Sequence, residues 1–144
     1  MTRRQAREQA FILLFEKSFQ EEFSADELIE LAIESAFYEN DDYTVFLTHE
    51  AFEHLEIIDG YIEKYCKGWS IARLPRVNLS VMRMAVAEML YCEETPVNVA
   101  VNEALEIAKK YANTQDVPVI NGILGSVSRD EALKEILESK KENV

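Results

Sequence analysis

Turn-forming residues are scarce in this sequence, with four Gly and three Pro among 144 residues. So little punctuation argues against a many-stranded sheet and favours long helices. Cysteine and histidine are scarcer still. Cys66 and Cys92 stand far apart with no metal-type spacing, and read as two reduced thiols buried as small hydrophobes. His49 and His54 are five residues apart, so on a helix they point to different sides and share no metal. Long apolar runs are missing too, and none approaches the ~20 residues needed to cross a bilayer. The opening Met1-Thr2-Arg3-Arg4-Gln5-Ala6-Arg7-Glu8 is basic, but it leads into an amphipathic stretch rather than a secretory cleavage signal. A cytoplasmic location without membrane contact is expected. No Gly-rich dinucleotide loop, Walker loop or nucleophile elbow occurs. Without a positioned nucleophile, base or metal, neither catalysis nor a cofactor is expected.

Positive charge is the last shortage. Fifteen Lys and Arg face 27 Asp and Glu, for a net charge of −12. Affinity for phosphate comes mainly from Lys and Arg, so any RNA role must rest on a local basic patch. What the chain does have is apolar content, 48% hydrophobic, enough for the core of a single domain.

The apolar residues recur at helical spacing. A first helix is expected from about Arg3 to Phe19, with Ala6, Ala10, Leu13 and Leu14 on one stripe and Phe11, Phe15 and Phe19 on another. Ser24-Ala25-Asp26-Glu27 is a capping box that opens a second helix through Leu28, Leu31, Ala32, Ser35 and Ala36. Asn40-Asp41-Asp42 ends that pattern. Leu47, Ala51, Leu55, Ile58, Ile62 and Tyr65 then form one face of a third helix, with Gly60 inside it and Gly68 as its C-cap. Gly60 would fit a close helix crossing. From Pro75 and Val77 to Leu90 the pattern is apolar almost all round, apart from Arg83 and Glu88, as in a central helix. Thr95-Pro96 reads as an N-cap followed by Pro at the first position of a fifth helix. Asn102 in that helix, and Asn121 in a sixth beginning near Pro118, read as internal hydrogen-bonding groups that fix helix docking. Residues 129–144 are charged, with a weak apolar set of Leu133, Ile136 and Leu137, and suit a short helix or a frayed extension. The expected fold is all-α.

Two features stand out from this helical background. Arg3, Arg4 and Arg7 crowd the start of the first helix, against its dipole. A guanidinium there can grip phosphate or stack on an unpaired base, although such residues also fit a merely solubilising start. The second feature is the run from Pro96 to Tyr111, with its β-branched opening.

Together these motifs resemble the NusB family. Arg3-Arg4-Gln5-Ala6-Arg7 matches its arginine-rich opening. Trp69, Arg73, Val77, Met82-Arg83-Met84-Ala85 and Glu88 follow its central pattern. Pro96, Val99-Ala100-Val101-Asn102-Glu103-Ala104 and Glu106-Ile107-Ala108-Lys109 match its next helix, and Val119-Ile120-Asn121-Gly122-Ile123-Leu124 the one after. The resemblance covers about residues 3 to 127. It implies a compact fold of six to seven helices in two packed sub-bundles, with residues 1–128 as the RNA-binding domain and 129–144 as a charged helix or tail. It further implies transcription antitermination through boxA-type single-stranded RNA, held jointly with the ribosomal protein NusE on the RNA polymerase elongation complex. The implied RNA surface is Arg3, Arg4, Arg7, Tyr111 and Gln115. The implied partner face is Phe15, Asn78 and Met82, and some members form a homodimer through it.

Departures from the family pattern fall on both surfaces. Phe15 stands where some members have Tyr, Asn78 where an acid is common, and Ala87 where Tyr is usual. Asp116-Val117-Pro118-Val119 replaces Ser-x-Lys-Phe, removing a Lys and a Phe near the RNA face. These changes keep open two alternatives: a protein-interaction module with little RNA affinity, or a detached form of the NusB-like domain fused to ribosomal RNA methyltransferases.

Overall fold

The computed structural model describes residues 1–143, and side chains as far as Glu138. Eight α-helices and no strand lie among the described residues, more helices than the periodicity suggests. The first, α1 (Arg3–Phe19), opens on a capping box between Thr2 and Gln5. Its inward stripe is the expected one: Ala6, Ala10, Leu13 and Leu14 are buried, and Phe11 joins them.

Ser24 and Glu27 cap α2 (Ala25–Ile33) reciprocally at 3.1 Å, as their spacing implies. The helix is shorter than expected and turned differently. Leu28 and Ile29 pack against Leu13, while Leu31 is left facing solvent.

The expected third helix is two helices, α3 (Asp42–Glu53) and α4 (Leu55–Lys64). The Asp41 carboxylate, part of the acidic run that ends the preceding pattern, caps α3 by accepting from the Tyr43 and Thr44 amides. The break falls at His54, whose φ of −111° and ψ of 23° leave the helical region. Its ring stacks on Tyr91 at 3.9 Å, a long-range contact that local periodicity does not contain. The apolar phase survives the break, because Leu47, Ala51, Ile58 and Ile62 are all buried. Gly60 marks no close crossing: it is exposed, and a Cβ there would meet nothing within 4 Å. The chain reverses further on, at Lys67 (φ 48°) and Gly68 (φ 92°), where the left-handed backbone suits glycine.

The helix α5 (Arg76–Tyr91) is the central one, buried on nearly every side from Asn78 to Met89. Its one partly exposed break in that run, Arg83, makes a two-pronged ion pair with Asp59 at 2.7 and 2.8 Å. Against α5 lies α6 (Val97–Tyr111), which presents Ala100, Ala104 and Ala108, all fully buried. Small residues four apart let two backbones approach closely along one ridge. Asn102 is offset by ~200° from Ala100 on the helical wheel and is exposed, not internal. Asn121 is likewise exposed, one step past the buried Ile120, so neither amide fixes helix docking. The start of α6 is also one residue later than expected. Pro96 is the N-cap, and the Thr95 hydroxyl turns away to Cys92 and Glu88 instead of capping.

Pro118 lies in the first turn of α7 (Val117–Ser128), behind a 3-10 turn at Thr114–Asp116. The last helix, α8 (Lys134–Asn143), follows a 3-10 turn at Glu131–Leu133. Leu133 and Leu137 enter the main core, whereas Ile136 stays exposed. Asp130 ties this end to α4, accepting from Lys64 Nζ at 2.7 Å and Tyr65 OH at 2.5 Å. These hydrogen bonds hold its carboxyl below the ordinary range, against the opposing effect of burial. The helices α1, α2 and α3 pack on one another, α2 over a small separate cluster of Leu13, Leu28 and Ile29, and α5 joins α1 and α3 to α4, α6 and α7 through the main core.

Candidate nucleic-acid interface

The arginines of the opening motif share a helix but not an environment. Arg3 and Arg4 are exposed, and Arg7 is buried. Arg3 lays its guanidinium 3.9 Å over the Tyr43 ring, a cation–π contact. Arg4 grips Glu103 of α6 through Nε at 2.8 Å and Nη2 at 3.3 Å, with 60% of its side chain still accessible. The hydrogen bond and charge of Glu103 raise the Arg4 pKa further, so its charge is permanent.

Arg7 is 5% exposed, and its Nε lies 2.9 and 2.8 Å from the two carboxylate oxygens of Glu88. Glu88 is fully buried in α5 and also accepts from the Tyr43 hydroxyl and, at 3.4 Å, from Thr95. Burial comes first in raising the Tyr43 pKa, and its contacts with Cys92 and Glu88 push the same way, so this phenol stays protonated. The expectation that Arg7 faces RNA is therefore corrected at the level of geometry. The second turn of α1 points into the core, and an arginine there requires the buried carboxylate it finds.

One turn on, α1 and α6 meet again. Glu8 accepts from Lys110 Nζ at 2.6 Å and from the Tyr111 hydroxyl. Burial works to raise the Glu8 carboxyl, but the two hydrogen bonds together outweigh it and hold the carboxyl low. The Tyr111 ring rests on Phe11 at 5.0 Å and remains 39% exposed. Arg4, Lys110 and Tyr111 thus line one edge formed by α1 and α6. Gln115 is exposed in the 3-10 turn that follows α6, four residues beyond Tyr111.

The implied partner face divides in the same way. Phe15 is half-buried in an aromatic row, 6.4 Å from Phe11 and 5.0 Å from Phe19. Phe19 is exposed beneath the Arg76 guanidinium, 4.3 Å away. Met82 and Asn78 are 1% and 5% exposed, so in the free chain they belong to the core. Asn78 donates to Asp116 at 3.2 Å, which brings two departures from the family pattern into contact. The Oδ1 of Asn78 is buried without a hydrogen-bond partner among the described residues. His49 and His54 share no site: His49 pairs with Asp26 at 2.8 Å, while His54 stacks on Tyr91. No metal-holding cluster and no helix long and apolar enough to cross a membrane occur among the described residues.

The residues missed by sequence reasoning are the acids and the phenol that hold the arginines: Glu8, Tyr43, Glu88 and Glu103. Lys110, beside Tyr111 in the matched motif, is the further cation of the edge.

Comparison with known proteins agrees with this architecture. The NusB family profile matches residues 4–129. The chain belongs to the NusB family. The transcription antitermination protein NusB of Ruminiclostridium cellulolyticum is 39% identical over 137 residues, 94% of either chain. Its counterpart from Natranaerobius thermophilus is 37% identical, over 89% of this chain and 95% of its own. Among solved structures, T. maritima NusB aligns with a TM-score of 0.78 at 31% identity, covering 96% of this chain and 98% of that one. A NusB solved with the antitermination factor NusE and double-stranded RNA aligns with a TM-score of 0.73 at 28% identity, covering 88% and 97%. In this NusB-family chain the motif arginines therefore sit on a fold already seen beside RNA.

Proposed function

We propose that this chain is a non-enzymatic, cytoplasmic antitermination factor that binds boxA-type single-stranded RNA together with NusE on the transcribing polymerase. The observation that carries the reading is the edge of Arg4, Lys110 and Tyr111, a cationic and aromatic strip on a chain of net charge −12, with the exposed Arg3 beside it over Tyr43. The cations neutralise phosphates, and Tyr111 offers a ring on which an unpaired base stacks. Gln115 extends the strip as a hydrogen-bonding side chain. Arg7 acts through position, holding the first turns of α1 against α5. The antitermination proteins among the relatives, and the NusB solved with NusE and RNA, support the same assignment. On this reading residues 1–128 carry the binding surfaces, the helices on either side of α5 act as two sub-bundles, and NusE meets the Phe15–Phe19 row. A homodimer would compete for that row. Asn78 and Met82, buried in the free chain, would join that partner face only if binding uncovers them.

The protein-interaction reading has an observation of its own. Both Arg4 and Lys110 are already paired to glutamates in the free chain, so each meets RNA with a carboxylate beside it that opposes a phosphate. Fluorescence anisotropy with a labelled boxA RNA, with and without NusE, separates the two. Saturable binding tightened by NusE supports the adaptor. No binding even with NusE present leaves the interaction module.

A further inference from the structure

Residues 18–63 contain fourteen Asp and Glu and no Lys or Arg. The elements α2, α3 and the start of α4 are thus acidic throughout, with Lys17 of α1 reaching over Phe52 and Arg3 over Tyr43. The same region exposes large apolar groups that a solvated acidic face does not need. Phe37 is 97% accessible, Leu31 53%, Ile33 52% and Ile12 39%. A groove runs there between α1 and the turn after α2, lined by Ile12, Leu13, Ala32, Phe37 and Tyr38, with Glu16 beside it.

The groove is preformed. Gln9 of α1 clamps the far wall by donating to the Glu39 carbonyl and accepting from the Glu39 amide, both at 2.9 Å. No Lys or Arg is paired with Glu16 among the described residues. Its carboxyl is pushed above its ordinary range by desolvation alone. Glu16 follows Phe15 by one residue, so it lies ~100° round α1 from the aromatic row. The groove adjoins that row through Ile12, ~20° from Phe19 on the wheel, but shares no residue with the surfaces assigned to RNA and NusE.

We infer that this groove is a second docking surface, and that its occupant is a basic amphipathic helix of another protein. The apolar face of such a helix would cover Ile12, Ala32 and Phe37. One of its cations would pair with Glu16, and the rest would meet the acidic surround. Helix-in-groove recognition has this form, and an acidic rim favours a basic partner through on-rate and register.

The test uses the full chain, isotope-labelled, and a synthetic amphipathic helix of leucine and lysine, with a leucine–glutamate helix as control. The expected result is binding of the basic helix only, with amide shifts concentrated at Ile12, Glu16, Ala32 and Phe37. Ile12→Ser with Phe37→Ser should weaken it about tenfold, the scale set by removing buried apolar groups. Glu16→Gln should weaken it about threefold, a larger loss than removing one charge from a diffuse acidic surface would cause. RNA and NusE binding should be unchanged in Phe37→Ser. Shifts spread across α3 and α4, or equal affinity in the double serine variant, would overturn the assignment. So would sedimentation showing a wild-type dimer that Phe37→Ser abolishes, since the occupant would then be a second copy.

Discussion

Arg4 and Arg7 sit three residues apart in one motif, and each meets a glutamate from a distant helix. Arg7 and Glu88 are both buried, and their carboxylate is further bonded by Tyr43 and Thr95. Arg4 and Glu103 make similar bonds, but with 60% and 20% of their side chains accessible. The two pairs are linked, since Arg7 Nη1 also lies 3.8 Å from Glu103; what differs is the solvent around them. A buried charge whose partner is removed has no water to turn to, whereas an exposed one does. The first pair therefore fixes the fold, and the second can be exchanged for another anion.

The largest expected effect comes from breaking the buried pair. Glu88→Ala should cost about 3–5 kcal/mol of stability, read from urea unfolding, because Arg7 is left charged in the core with only the more distant Glu103, 3.8 Å away, to face it. A loss below about 1 kcal/mol would mean that Arg7 reaches solvent, and the contrast with Arg4 would disappear.

Asp130 is an intermediate case, a fully buried carboxylate whose cation, Lys64, is 55% accessible. Its pKa is held below the ordinary value, so the stability it contributes is present above the unfolded pKa of about 3.9. That contribution is lost as pH falls through the folded pKa. Asp130→Asn should thus be less stable than wild type at neutral pH, with the gap closing in acid. A gap that persists at a pH where both forms are protonated would point to hydrogen-bond geometry rather than charge.

Smaller changes sharpen the exposed side. Arg4→Ala should leave the Tm unchanged and make the salt dependence of RNA binding shallower by roughly 0.7 in log–log slope, one contact's worth on a single strand. Glu103→Gln should have the smallest effect and the opposite sign. Freed of its carboxylate, Arg4 should bind RNA a few-fold more tightly in the same anisotropy assay, and weaker binding would show that Glu103 positions Arg4 rather than competing for it.

Much of this was legible before the structure. Ser24 and Glu27 announced α2, the nearly unbroken apolar pattern from Val77 to Leu90 announced the central α5, and the order of four motifs announced the family. The rest depended on contacts between residues far apart in the chain. Arg3, Arg4 and Arg7 crowd the start of one helix in sequence, yet the partner that draws Arg7 inward stands at position 88. The break at His54 depends on Tyr91, and the late start of α6 on the use of Thr95 by Cys92 and Glu88. Asn102 and Asn121 looked internal because their neighbours in sequence are apolar, while the helical wheel turns both outward. Met82 was assigned to a partner face by resemblance, and in the free chain it is core.

The division of labour within the opening motif is tested most directly by the salt dependence of boxA RNA binding for wild type and Arg3→Ala/Arg4→Ala, with Tm measured in parallel. The expected result is weaker binding, a slope shallower by roughly 1.4 and an unchanged Tm. Unchanged affinity and slope would contradict the assignment of RNA binding to this edge.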